Sequence, residues 1–404
     1  MTGSSIIAGL DIGTSKVCVM IAEIKDGTAN LLGFGGSVSA GMNKGSIVNA
    51  EAVADSIRNA VKEASSLSGV KIKSFYAGIS GGHIKSFSSS GVTGVRNREV
   101  GSLDIAYAID SAKSMYIPLD REVLHVLPTE FILDGMTGIS DPTGMPGVRL
   151  EAKANIITAA ESSVQDLRKC CARAGCDVNG IVLTPLMSAY SVLTKDEKES
   201  GALLIDIGGG TTEIVYCKDG FMKYFSVLNV GGTHITNDIA IGLKISVPEA
   251  ERLKKISGAA IKGRDNGTEN IEVIQKDGAK KNLSAKQLLE IIQPRCEEIL
   301  EMADREIKLS LGSKLSACSA VLSGGTSLLN GFDRLAEVTL GLPVRIGRPL
   351  KLRGLKNTAE GPAYSAAAGL VLYADKFAPG RRFQDDIPDS VLKNMKDRFS
   401  NAFR

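Results

Sequence analysis

The sequence predicts an α/β fold made of two copies of one unit facing each other across a cleft. Three observations carry that prediction. The chain has 404 residues, 43% of them hydrophobic and 23% charged, enough apolar material for two or three packed domains without disulfides or metals. Residues 7–21 and 203–215 echo each other: each is an apolar run ending in Asp, a tight Gly/Thr/Ser turn, then a β-rich run. The two copies are offset by about 195 residues, and each leads into further strand-like stretches and then a helix-like one, at 49–67 and 233–243.

Composition also excludes. With 48 Lys+Arg against 45 Asp+Glu the net charge is only +3, too little for a general nucleic-acid binder. No apolar run approaches the ~18 residues of a membrane-spanning helix. The amino-terminal residues have no cationic segment and run straight into an Asp-Gly element, so no signal peptide is expected. The seven cysteines include no Cys-x-x-Cys pair, which reads as reduced cytosolic thiols. Cys170, Cys171 and Cys176 cluster; a metal or redox site is one reading. Buried small hydrophobes are the other, favoured by the absence of a nearby His and by the spacing.

Each half carries an insertion. In the first, 81–160, strand-like pieces at 84–87, 125–133 and 153–159 surround a helix-like piece at 103–115 and a Gly/Pro-rich loop at 134–147. The second, 247–294, holds a helix-like start, a Gly- and Lys-rich hairpin at 271–281 and the start of a long helix over 284–311. Ser284 is its expected N-cap, Leu288, Leu289, Ile292, Ile299, Met302, Ala303, Ile307 and Leu311 recur at helical spacing, and Pro294 is expected to kink it or mark a boundary. A buried strand then runs into a Gly-Gly turn and a helix over 320–328, a short strand follows at 343–346, and a small-residue helix is expected at 361–373.

The two Asp-Gly turns suggest their own chemistry. Glycines let backbone N–H groups converge on one anion, and the hydroxyls of Thr14, Ser15, Thr211 and Thr212 add donors. Lys16 adds a point charge suited to phosphate. Asp11 and Asp206 at the strand ends would repel a polyphosphate unless Mg²⁺ stands between, reached directly or through water. Gly324, Gly325 and Thr326 form a third turn where a nucleoside could lie against bare backbone. One such turn is weak; two in matching positions point to nucleotide binding. No G-x-x-x-x-G-K-[ST] motif occurs.

The segments Asp11-Ile12-Gly13-Thr14-Ser15-Lys16, Asp206-Ile207-Gly208-Gly209-Gly210-Thr211 and Leu322-Ser323-Gly324-Gly325-Thr326 resemble the phosphate-1, phosphate-2 and adenosine motifs of the actin/Hsp70/sugar-kinase superfamily. Within it, residues 125–128, 147–153 and 183–193 make the chain similar to the FtsA family of bacterial actin-like cell-division proteins, over essentially its whole length. The resemblance implies an actin-like ATPase fold of two duplicated ribonuclease-H-like lobes with ATP and Mg²⁺ between them and at most weak ATPase activity. It places subdomain 1A at 1–83 and 161–198, with 361–375 at the lobe junction. Subdomain 1C would be 84–160, 2A would be 199–246 and 295–360, and 2B would be 247–294. Gly231 and Gly232 join the nucleotide-binding set, and Glu251 and Lys254 become candidates for ribose and base. The expected partners are the C-terminal peptide of FtsZ, further copies of the chain, other division proteins and an anionic lipid surface, on the cytoplasmic side of the inner membrane at the septum. Lys280, Lys281 and Arg295 are the candidates for the acidic peptide.

After a linker at 376–388, residues 389–404 read as an amphipathic helix. At ~100° per residue, Val391, Leu392, Met395, Phe399, Ala402 and Phe403 fall within a ~120° stripe. Lys396 and Arg398 flank it and Lys393 lies on the polar face, as in a helix lying in an anionic membrane surface. Docking of this helix on its own protein is the blander alternative. A sugar or acid kinase on the same fold is the alternative function, with Asp206 as base. No residue is singled out to orient an attacking water.

Overall fold

The structure is a computed structural model describing residues 5–25, 28–114, 117–262, 270–315, 318–350, 352–354 and 361–377. Two mixed sheets form its centre, and their topologies match strand for strand. In the first, Ser5–Ile12 pairs antiparallel with Lys16–Lys25, which pairs antiparallel with Thr28–Val38. On its other side Ser5–Ile12 pairs parallel with Ser74–Ile79, which pairs parallel with Asp177–Leu183. In the second, Ala202–Ile207 has the antiparallel neighbour Thr212–Lys218 and, beyond it, Phe221–Leu228; on the other side run Ser319–Ser323 and Val344–Ile346, both parallel. The first sheet gains a sixth strand, Leu352–Arg353, at its edge. The central strands are apolar nearly throughout because both sheet faces are covered.

Helices do the covering. Ala50–Ser68 starts at Asn49, whose side chain accepts from the Ala52 amide at 3.2 Å, and ends at Gly69 in the left-handed region. Its Val53, Ile57, Ala60 and Ala64 recur at helical spacing and are fully buried. The core containing them continues through Val192 and Leu193 to Leu204, Val215 and Val321, so one apolar mass joins the two sheets. A second core lies under helices Gly232–Leu243, Val247–Ser257, Ala285–Leu311 and Phe332–Leu340. Helix Ser365–Phe377 covers the far face of the first sheet, its small residues Ala367 and Ala368 fully buried.

The first insertion is a separate four-stranded antiparallel sheet, in the order Lys85–Gly94, Arg149–Ala160, Arg121–Leu133, Met136–Ile139, with helix Ser102–Lys113 packed on it. Lys85–Gly94 is much longer than the expected 84–87: its Ser-rich sequence reads as loop because it is an exposed edge strand, yet it pairs over its whole length. The second insertion holds the hairpin Asn270–Ile274 and Lys280–Ser284.

Three local expectations are corrected. Of the two outcomes expected at Pro294, the boundary does not occur: helix Ala285–Leu311 runs through it. The buried Ile292, Cys296, Ile299 and Leu300 around the proline outweigh the one backbone hydrogen bond it forfeits. The Gly-Gly turn enters a 3₁₀ turn, Gly325–Leu328, and the α-helix starts only at Phe332. Residues 361–373 likewise split: Pro362–Tyr364 is a 3₁₀ turn and the α-helix begins at Ser365. All seven cysteines are buried and unpaired, and burial pushes the thiols of Cys18, Cys171 and Cys296 up to about 12. Cys170, Cys171 and Cys176 behave as small hydrophobes, and no group of three or more metal-ligating side chains occurs among the described residues. Among those residues no helix is long and apolar enough to cross a membrane. The expected amphipathic helix at 389–404 lies outside them.

Candidate functional site

The two echoing turns have the same geometry. The Gly13 amide donates to the Lys16 carbonyl at 2.9 Å, and the Gly208 amide donates to the Thr211 carbonyl at 2.9 Å. Asp11 and Asp206 occupy equivalent ladder positions, opposite Cys18 and Glu213 respectively. The turns face each other across a cavity of about 910 Å³. Asp11, Gly13, Thr14, Ser15 and Lys16 line one wall; Asp206, Gly208, Gly209, Gly210 and Thr211 line the other. Gly324, Gly325 and Thr326 reach the same cavity, as do Glu251 and Lys254.

Close approach explains the glycines at the bottom of the cleft. A side chain at Gly209 would put its Cβ 1.9 Å from Ser15 Oγ, so the two turns touch only because that position is bare. Gly324 has φ of +82°, and a Cβ there would lie 2.3 Å from the Ile207 carbonyl and 2.5 Å from Asp206 Oδ1. The third turn thus presses backbone against the strand that delivers Asp206.

Three members of the sequence-derived set stand behind the cleft and do not line it. Thr212 is fully buried and donates from Oγ1 to the Val230 carbonyl at 2.8 Å. Gly231 caps helix Gly232–Leu243, and the Gly232 and Thr233 amides donate to the Gly208 and Gly209 carbonyls at 2.9 and 2.8 Å. The helix start therefore spends its free donors on fixing the glycine turn from behind. Thr326 adds a bond to the Gly208 carbonyl at 3.0 Å.

The floor of the cleft is acidic and buried. Burial raises the Asp11 carboxyl against the pull of Lys16. Burial pushes Asp206 up to about 6, with Asp11 adding to the rise. Glu213, also buried, is pushed up to about 8 by burial and by Asp206, and it accepts from Thr211 Oγ1 at 3.4 Å. Carboxylates crowded into a low-dielectric floor call for a counter-cation. Asp11 and Asp206 fit Mg²⁺, which takes one or two carboxylates and completes its shell with waters and phosphate oxygens. When bound, the ion would neutralise both the floor and an incoming polyphosphate.

At the other end, helix Val247–Ser257 is capped by Ser246 and presents Glu251 and Lys254 to the cavity. They pair with each other at 2.7 Å, and Lys254 also donates to the Gly232 carbonyl at 3.0 Å and to Thr236 Oγ1 at 2.8 Å. Burial lowers the Lys254 ammonium, opposed by Glu251. This polar pair is preformed at the mouth, where hydroxyls of a sugar could meet it.

Outside the cleft, Lys280 makes an exposed pair with Glu272 at 3.0 Å and Lys281 is exposed on the same strand. Arg295 is committed elsewhere, gripping Asp238 at 2.6 and 3.2 Å and also bonding Glu298. Sequence reasoning missed Glu213, Ser80, Thr184, Arg348 and Tyr364, which all line the cleft. Only Glu213 left a signal, a carboxylate inside the apolar strand Thr212–Lys218.

Comparison with known proteins places this geometry. Residues 203–369 match the family model for cell division protein FtsA, and residues 81–158 match the SHS2 domain inserted in FtsA. Cell division protein FtsA of Pseudomonas aeruginosa is 40% identical over 401 residues, covering 96% of each chain. The chain belongs to the FtsA family. It is an actin-like cell-division protein, and the sheet of its first insertion coincides with the SHS2 domain inserted in that family. Among solved structures, the PilM-PilN type IV pilus biogenesis complex aligns with a TM-score of 0.65 at 16% identity, covering 91% of this chain and 98% of that one. MreB 5 of Spiroplasma citri bound to AMPPNP aligns at 0.55 and 15%, covering 98% of both. These likenesses establish the actin-like fold of this FtsA-family member.

Proposed function

We propose that this FtsA-family chain binds Mg-ATP in the cleft, polymerises on the cytoplasmic face of the bacterial inner membrane at the septum, and tethers FtsZ filaments there while recruiting later division proteins. The observation that carries the nucleotide reading is the pair of turns with matching hydrogen bonds set face to face over two buried carboxylates, Asp11 and Asp206. Backbone amides of both turns, the hydroxyls of Thr14, Ser15 and Thr211, and Lys16 supply phosphate donors from two lobes at once. Glu251 and Lys254 take the ribose and base against the bare backbone of the Gly324 turn. The MreB relative bound to AMPPNP supports the same ligand class.

In this reading the two sheets are the cores of subdomains 1A and 2A, and the insertions are 1C and 2B. Lys280, Lys281 and Arg295 are the cations offered to the acidic FtsZ peptide, Lys280 and Arg295 from within the pairs they make with Glu272 and Asp238. The residues Val391, Leu392, Met395, Phe399, Ala402 and Phe403 supply the lipid-facing stripe. One such helix holds weakly, so polymerisation multiplies attachment.

The test is co-sedimentation with anionic liposomes, using the full chain and a chain ending at Asp385, with and without Mg-ATP. Tail-dependent binding that strengthens with Mg-ATP is expected. Equal binding of both chains, or none, overturns the membrane reading.

A further inference from the structure

The cation of the first turn already has a seat. Lys16 Nζ donates to the Ala363 carbonyl and lies 3.7 Å from the centroid of the Tyr364 ring. Among the described residues no ion pair within 4.0 Å joins it to Asp11 or Asp206, although it shares the cleft with both and its charge acts on both carboxyls. The seat is rigid. Tyr364 packs edge-on against Phe34, centroids 4.9 Å apart at 89°. Its own turn is bolted to the second lobe: the Pro362 carbonyl accepts from the Gly324 amide at 3.1 Å and from Ser323 Oγ at 3.2 Å. The Ser365 carbonyl accepts from Ser191 Oγ at 2.7 Å.

We propose that Tyr364 is a positioning residue for nucleotide binding: its ring and the neighbouring Ala363 carbonyl hold the Lys16 ammonium over the cleft, off the acidic floor and ready for phosphate. An ammonium carries three N–H donors. The carbonyl takes one, the ring face attracts the charge, and a donor remains for a phosphate oxygen. Without the ring, a flexible lysine stem would swing toward Asp11 and Asp206, spending its charge there and blocking the carboxylates that Mg²⁺ needs. Because the Pro362 carbonyl is tied to the adenosine-side turn, the seat also fixes the distance between the phosphate-binding cation and the nucleoside end.

This inference rests on the Mg-ATP reading, and its test separates the two. Mg-ATP and Mg-ADP affinities are measured on the full chain by calorimetry, for wild type, Tyr364→Phe, Tyr364→Leu, Lys16→Met and the Lys16→Met/Tyr364→Leu double variant, with thermal melts as a check on folding. Tyr364→Phe keeps the ring and is expected to stay within about twofold of wild type. Tyr364→Leu is expected to weaken Mg-ATP binding about tenfold, in line with a desolvated cation–π contact. In the Lys16→Met background the same change is expected to cost less than about twofold, since no cation is left to position. An equal loss in both backgrounds, no loss, or tighter binding by Tyr364→Leu overturns the proposal. Failure of wild type to bind Mg-ATP overturns the function reading itself.

Discussion

Glu213 is a carboxyl group buried at the wall of the cleft, opposite Asp206 on the neighbouring strand and pushed up to about 8 by burial and by Asp206. Since its proton is held more tightly in the folded chain than in the unfolded one, the folded state binds more protons between the ordinary carboxylate range near 4.5 and about 8. Stability of the ligand-free protein therefore falls as pH rises through that window, by up to roughly 1.4 kcal/mol per pH unit for each such group. Urea unfolding at pH 5, 6, 7 and 8 should show the decline, and Glu213→Gln should flatten it. At Gly324 the strain is steric. Gly324→Ala forces a Cβ into the Ile207 carbonyl at φ of +82°. A loss of about 1–3 kcal/mol is expected in the same unfolding assay. At this scale the sequence was informative where a motif repeats, as at Asp11 and Asp206. It was silent at Tyr364, whose role comes from a lysine 348 positions earlier in the chain.

Among elements, the strand-turn-strand units were legible because alternation between apolar runs and glycine turns is a local property, and both copies fold as read. The long helix was legible too, but the meaning of its proline was not. Pro294 lies within Ala285–Leu311, a helix whose buried stripe runs from Leu288 to Ile307. Local chemistry says break; tertiary burial says continue, and burial wins. Pro294→Ala should therefore stabilise the protein, by about 1–3 kcal/mol, read as a rise in the urea midpoint. The Ser-rich edge strand Lys85–Gly94 was illegible for the opposite reason: its polarity reflects exposure, and its order comes from pairing with Arg149–Ala160.

For the whole molecule, the duplication was readable from the echo alone, while the ties between the halves were not. Arg345 on the second sheet grips Glu197 at 2.7 and 2.6 Å and the Val192 carbonyl at 2.8 Å, in the segment that joins the sheets. Arg345→Ala should cost about 1–2 kcal/mol and broaden the thermal transition as the lobes uncouple. The first insertion is tied across as well: Asn155 donates to the Lys223 carbonyl at 3.1 Å, and Lys223 Nζ donates to the Thr129 carbonyl. Such contacts join residues far apart in the chain and leave no periodic trace. The cleft lies between these coupled lobes and is lined by both. Calorimetric titration of the full chain with Mg-ATP tests nucleotide binding there most directly, beside Asp206→Ala checked for retained folding by circular dichroism. One saturable site that requires Mg²⁺ in wild type and disappears in the variant is predicted; no binding in wild type, or undiminished binding in Asp206→Ala, would contradict it.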